Sequence, residues 1–144
     1  MSKLGLLLLL LPLAGCVTAP PAAELGFSDF FVRPVGPRGQ EPTEKLLSLN
    51  GQRVRVVGWV VAEEEPFPGL FMLAPLRVSI AERADGPADD LPGATLFVHL
   101  PDGRRDWSAH AGDRPVEVTG TLDLGPKEEV SGRISYVRLL LDDP

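Results

Sequence analysis

The chain has 144 residues, of which 14 are Lys or Arg and 20 are Asp or Glu, and its formal net charge is −6. This length suits one domain rather than two, and the overall field of an acidic chain does not attract nucleic-acid phosphates or anionic headgroups. Cys16 is the only cysteine, which excludes an internal disulfide bond and a zinc site built on several cysteines.

The first fifteen residues have the pattern of a secretion signal. Lys3 precedes an unbroken apolar run over residues 4–11, and Pro12 separates this run from the sequence LAGC, which ends at Cys16. The run is too short for a spanning helix, which needs about 20 apolar residues. The sequence LAGC resembles the lipobox of bacterial lipoproteins. This resemblance implies cleavage before Cys16 and attachment of lipid to that residue.

These features predict the organisation of the whole chain. We expect a signal peptide over residues 1–15, a lipidated and Pro-rich tether over residues 16–24, and one domain over residues 25–144. The domain would face the periplasm and contact the membrane through the lipid on Cys16. Because residue 17 is Val and not Asp, we expect the outer membrane rather than the inner one if the host has two.

The start of the domain predicts a flap and one short helix. Phe30 and Phe31 precede a stretch over residues 33–39 that is rich in Pro and Gly and is not regular structure. We interpret this part as a flap packed on the domain, with contact to a membrane or partner as the alternative. Residues 43–49 predict a helical turn that Asn50 and Gly51 would end.

From Gln52 onward the apolar residues repeat with a period of two, which is typical of strands. The five predicted strands are Arg53 to Ala62, Leu70 to Ile80 with an interruption at Pro75, Ala94 to Leu100, Pro115 to Leu124, and Arg133 to Leu141. No later segment has the pattern of a long amphipathic helix. The fold class is therefore mainly β.

Two of these strands share the pattern V-x-V-x-G-x-(V/L), with glycines at Gly58 and Gly120. A glycine inside a strand weakens it and often marks a bend, a bulge or a close approach of backbones. Five strands with glycine kinks in the first and fourth favour a small OB-like barrel. The alternative is an open sandwich in which both glycines are incidental.

The sequences LNGQRVRVVGWVV, FMLAP, ATLFVHLP and PVEVTGTL resemble a family of OB-like periplasmic domains of unknown function that occur in secreted or lipid-anchored bacterial proteins. The resemblance covers residues 45–141 and rests mainly on strand patterns. Before its third strand the family has a denser proline run and a cysteine, whereas this chain has AERADGPADDLPG. The resemblance implies the fold and supplies no activity.

The sequence contains the residue types of a zinc site, a catalytic triad and a calcium loop, but not the spacing that each of these sites requires. His99 and His110 have no zinc-ligand pattern around them, and Ser108 with His110 and Asp106 lies too close in sequence for a catalytic triad. The acidic residues of the 81–93 segment lack calcium-loop spacing. We assign no catalytic residue, metal site or cofactor.

We therefore expect a non-catalytic, lipid-anchored envelope protein that binds a protein partner of the membrane or cell envelope, and no nucleic acid. A small-ligand or glycan-binding lipoprotein is the alternative, and a metal-dependent or hydrolytic enzyme is a third hypothesis. Strand alternation places Leu96, Val98 and Leu100 inward and Phe97 and His99 outward. The candidate binding residues, on this outer face and in the adjoining loops, are Phe67, Phe97, His99, Arg104 and Trp107.

Overall fold

The structure, a computed structural model, describes residue 15 and residues 18–80, 91–104 and 108–143. It is mainly β, with one short helix, α1 (Glu44–Ser48), and six strands in one mixed sheet. The strands are β1 (Ala23–Glu24), β2 (Arg53–Val60), β3 (Leu70–Ala74), β4 (Leu96–His99), β5 (Val116–Glu128) and β6 (Ile134–Leu141). No helix among the described residues is long and apolar enough to cross a membrane.

The five predicted strand segments overlap β2 to β6, although β5 continues past the predicted end at Leu124 to Glu128, and β1 is an additional strand. β1 lies in the segment that we interpreted as tether, and it pairs with β2 in parallel through Ala23↔Val54 and Glu24↔Arg55. The predicted second strand ends at Ala74, just before Pro75. After this proline the chain turns back, and Ser79 forms a parallel bridge with Ala62.

The strand pairings close on themselves. β2 pairs with β3, β3 with β4, β4 with β6, β6 with β5, and β5 again with β2. All of these pairs are antiparallel except β4 with β6, which is parallel. β5 is the longest strand, and its register against β6 shifts between Leu124 and Lys127.

The two copies of the glycine pattern lie opposite each other in the β2–β5 pair. Val54 pairs with Gly120, Val56 with Val118, and Gly58 with Val116. A Cβ atom at Gly120 would lie 2.2 Å from the backbone oxygen of Leu140. A Cβ atom at Gly58 would lie 2.6 Å from the Phe27 ring and 3.0 Å from the backbone oxygen of Ala74. Both glycines therefore allow close approach of neighbouring chain, which was one of the expected reasons.

Most buried side chains belong to one central core enclosed by the strands. Its fully buried members include Phe30, Leu46, Val54, Val56, Leu73, Leu96, Val98, Leu122, Val137 and Leu139. A second group of buried residues, here the outer cluster, consists of Val61, Leu70, Met72, Ala74 and Phe97, with Phe67, Val78, Ile80 and Leu91 packed against it. The sheet thus has apolar cover on both of its faces at β3 and β4.

The segment before β2 packs on the domain as a flap. Phe30 is fully buried, and its ring centroid lies 5.1 Å from that of Phe27 and 6.3 Å from that of Phe31. Thr43 caps α1 by accepting the Leu46 N–H at 3.0 Å, and Gly51, with φ of 77°, follows the helix. The predicted flap and the predicted capped helix are both present.

Candidate binding surface

The structure describes only some of the residues that we predicted to form the binding surface. Cys16 and Trp107 lie outside the described residues. Arg104 ends a short 3-10 helix over Asp102–Arg104 and is exposed. Phe67 is partly buried against the outer cluster.

Phe97 is buried, since only 5% of its surface is accessible. Alternation was right about direction, because Leu96 and Val98 point into the central core while Phe97 joins the outer cluster. Residues 78–80, which follow the break at Pro75, and Leu91 cover this face. The outer face of β3 and β4 is therefore not a free binding surface.

His99 points into a buried polar network rather than to open solvent. Its Nε2 lies 3.1 Å from Oε2 of Glu129, whose side chain is 2% exposed. Ser135 Oγ donates to Oε1 of Glu129, and Arg138 Nη1 donates to Ser135 Oγ at 3.0 Å. Arg138 also donates to Asp123 at 2.8 Å. We call His99, Asp123, Glu129, Ser135 and Arg138 the polar network.

The polar network does not have the geometry of a nucleophile activated by a base. Glu129 lies between the serine and the histidine, so the hydroxyl that would attack is hydrogen-bonded to a carboxylate and not to the imidazole. Ser135 is also fully buried, which leaves no room for a substrate at Oγ. The arrangement instead satisfies charged groups that burial would otherwise penalise.

The other sequence-level candidates for chemistry do not come together in the part of the chain that is described. Among the described residues, no group of three His, Cys, Asp or Glu side chains is placed to hold a metal ion. His110 is exposed, and Asp106 lies outside the described residues, as do the acidic residues of the 81–90 segment.

A cleft of about 490 Å³ opens between the flap, the start of β4 and the first half of β6. We call it the β6 cleft. It is lined by Phe31, Gln40, Leu91, Pro92, Gly93, Thr95, Phe97, Gly132, Arg133, Ile134, Tyr136 and Val137. Its volume is within the range of about 300–1,000 Å³ that is usual for ligand sites. Its lining thus combines aromatic and aliphatic residues with the polar side chains of Gln40, Thr95 and Arg133.

The cleft exists because two parallel strands are paired over only part of their length. β4 and β6 are in register at Phe97↔Arg138, Val98↔Leu139 and His99↔Leu140. Ahead of Arg138, residues 134, 135 and 137 of β6 pair with β5 on one side, and the β6 cleft lies on the other. On the cleft side, this part of β6 therefore pairs with no strand of the described chain.

The hairpin between β5 and β6 exposes aliphatic side chains beside the cleft. Glu129 N–H donates to the Arg133 oxygen at 2.8 Å and closes the turn, which we call the hairpin tip (residues 129–133). Val130 in the tip is 75% exposed, and Ile134 at the start of β6 is 64% exposed. Ile134 also lines the β6 cleft, so exposed aliphatic surface adjoins the cleft.

Sequence reasoning missed the residues of this surface. Arg133, Ile134 and Tyr136 were recognised only as part of the last strand, since alternation describes a strand and not the gap beside it. The sequence carries one available signal, because Val130 stands in a turn flanked by polar residues, where an apolar side chain has nothing local to pack against.

No protein-family model and no curated protein matches the sequence. The fold places the chain among mainly β proteins built on a mixed sheet with one short helix. It is similar to the crystal structure of a DUF3299 family protein from Pseudomonas aeruginosa, with a TM-score of 0.52 and 14% sequence identity. The similarity covers 86% of this chain and 95% of that chain. That neighbour belongs to a family of unknown function, so the comparison supports the fold alone.

Proposed function

We propose that the chain is a non-catalytic, lipid-anchored envelope protein whose OB-like barrel is an accessory binding module for a membrane or cell-envelope protein partner. The lipobox ending at Cys16 supports the anchor. The closed circuit of pairings through β2, β3, β4, β6 and β5 supports the barrel, because OB folds are small, partly open five-stranded Greek-key barrels.

The exposed hairpin tip is the observation that carries the binding function. OB folds bind through the face of their second and third strands and through two loops, one of which joins strands four and five. Here the chain itself covers that face with the outer cluster. We equate the hairpin tip with that loop, because it exposes Val130 and its residues Gly132 and Arg133 line the β6 cleft.

The test is site-specific crosslinking of the complete, lipidated protein in membranes of its native cells. A photo-crosslinking amino acid at position 130 is expected to give one protein adduct of defined mass. Purification through a tag on the partner is expected to recover the same adduct. The matched control is position 47, because Leu47 is an aliphatic residue of α1 that is 51% exposed. Equal adducts from both positions, or adducts from neither, would overturn the proposal.

A small-ligand or glycan-binding lipoprotein is the second candidate. The observation in its favour is that Tyr136 lines the β6 cleft together with Gln40 and Thr95, which combines an aromatic surface with hydrogen-bonding groups. A glycan array with the complete Cys16→Ser protein separates the two candidates. Saturable glycan binding that a Tyr136→Leu variant loses, without any adduct at position 130, would favour this second function.

A further inference from the structure

Arg133 stands out among the arginines of the described residues. The side chains of Arg38, Arg53, Arg55, Arg77 and Arg138 all form ion pairs or hydrogen bonds. Those of Arg33, Arg104, Arg114 and Arg133 form none within the described chain, and the first three are exposed. Arg133 is partly buried in the wall of the β6 cleft. It is thus a partly sheltered guanidinium that has no anionic partner among the described residues.

Charge complementarity defines what the β6 cleft accepts. Arg133 is the one charged residue among the described residues that line the cleft. A guanidinium binds a carboxylate through two parallel hydrogen bonds, and such bonds are stronger than neutral ones. Because the chain as a whole has a net charge of −6, a single carboxylate would meet less repulsion than a run of acidic residues.

The strand edge defines the shape of the occupant. An exposed edge is completed by an extended peptide, whose backbone adds a strand while alternate side chains enter pockets. Residues 134–137 of β6 run along the cleft, where Ile134 is exposed and Tyr136 is partly buried, whereas Ser135 and Val137 are buried. An extended peptide would thus place apolar side chains against Ile134 and Tyr136.

We propose that the β6 cleft binds an extended segment of a partner protein by strand addition to residues 134–137, with one Asp, Glu or C-terminal carboxylate of that segment on Arg133. This inference rests on the proposed function and specifies its site and the chemistry of its partner. The exposed hairpin tip with Val130 would then touch the partner beyond the inserted segment.

The test uses the complete Cys16→Ser protein with random octapeptides displayed on phage, half of the library ending in a free carboxylate. The expected selected peptides alternate apolar residues and contain one carboxylate. Synthetic copies are expected to bind Arg133→Gln at least tenfold more weakly than the parent protein, and Arg133→Lys in between. Arg114→Gln, which changes an exposed arginine outside the cleft, is expected to bind like the parent. Hydrogen exchange of the backbone amides of residues 134–137 is expected to slow when peptide binds.

Several results would overturn this inference. One is selection of peptides without a carboxylate, and another is equal binding by Arg133→Gln. A third is slowed exchange elsewhere but not in residues 134–137. Co-sedimentation with vesicles of phosphatidylglycerol that Arg133→Gln abolishes would assign the cleft to lipid headgroups instead. If the adduct at position 130 forms equally well in Arg133→Gln, the β6 cleft is ruled out as the binding site, and the proposed function still stands. If the parent protein forms no adduct at position 130, the proposed function itself is ruled out.

Discussion

At the scale of single residues, Gly120 is a position where backbone leaves no room for a side chain. Its missing Cβ would lie 2.2 Å from a backbone oxygen, which cannot move without shifting β6. At Gly58 the nearest atoms belong to the partly buried Phe27 ring, and a side chain shifts more easily than backbone does. The two glycines of the repeated pattern therefore differ in what substitution costs.

We expect Gly120→Ala to lower the free energy of unfolding by about 3 kcal/mol and Gly58→Ala by about 1 kcal/mol, because overpacking costs most where backbone must move. Gly36→Ala is the control, since a Cβ there meets no atom within 4 Å. Urea unfolding of the three variants measures the differences. Unfolding of Gly120→Ala at the urea midpoint of the control would show that the glycine spacing is accidental.

The polar network provides the second prediction at this scale. Ser135→Ala removes one hydrogen bond from the buried Glu129 carboxylate and one acceptor from Arg138. We expect a loss of about 1–3 kcal/mol, the usual cost of leaving a buried polar group unsatisfied. Ser48→Ala is the matched control, because Ser48 Oγ forms an exposed hydrogen bond to the Lys45 oxygen. Thermal unfolding measures both, and equal effects would mean that the network adds nothing to stability.

At the scale of elements, one ion pair joins the flap to α1. Lys45 Nζ donates to Oδ2 of Asp29 at 2.7 Å, and the Gly26 N–H donates to the same oxygen at 3.0 Å. These two contacts, the first more than the second, lower the pKa of Asp29 below its ordinary value of 3.8. A carboxyl whose pKa is lowered by folding stabilises the folded state above its ordinary pKa. It loses that contribution as the pH falls through the folded pKa.

We therefore expect Asp29→Asn to be less stable than the parent near neutral pH by about 1 kcal/mol or less, because exposed ion pairs contribute little. The difference is expected to shrink as the pH falls below 3.8. Urea midpoints measured from neutral to acid pH test this, with Asp113→Asn as an exposed control. A difference that stays constant across this range would contradict the assigned ion pair.

The strands also show which elements local sequence patterns can predict. The period of two and the flanking turn residues are enough to find β2 to β6, because each strand carries its own alternation of buried and exposed side chains. β1 was missed, because a two-residue strand has no period, and its pairing with β2 is a contact between distant parts of the chain.

At the scale of the whole molecule, the lipid anchor is the prediction to test first. In its native cells the chain is expected in the membrane fraction with lipid on Cys16. Cys16→Ser is expected to leave an unlipidated precursor or a mislocalised product. Gly15→Ala is the control, because it keeps a small residue before the cysteine and is expected to be lipidated like the parent. Mass spectrometry of membrane-derived protein decides, and an unmodified Cys16 there would contradict the anchor.

By itself the sequence determined the mainly β class, the flap, the capped helix and the two glycines that permit close approach. These features depend on residues that are close to each other in the sequence, so local patterns are enough to predict them. Only the tertiary structure decided that Phe97 is covered and that His99 contacts Glu129. It also decided that a cleft opens beside Arg133. Alternation gives the direction of a side chain, but its exposure depends on whether a distant segment covers it. The cleft in turn depends on where β4 and β6 stop pairing, which no local pattern encodes.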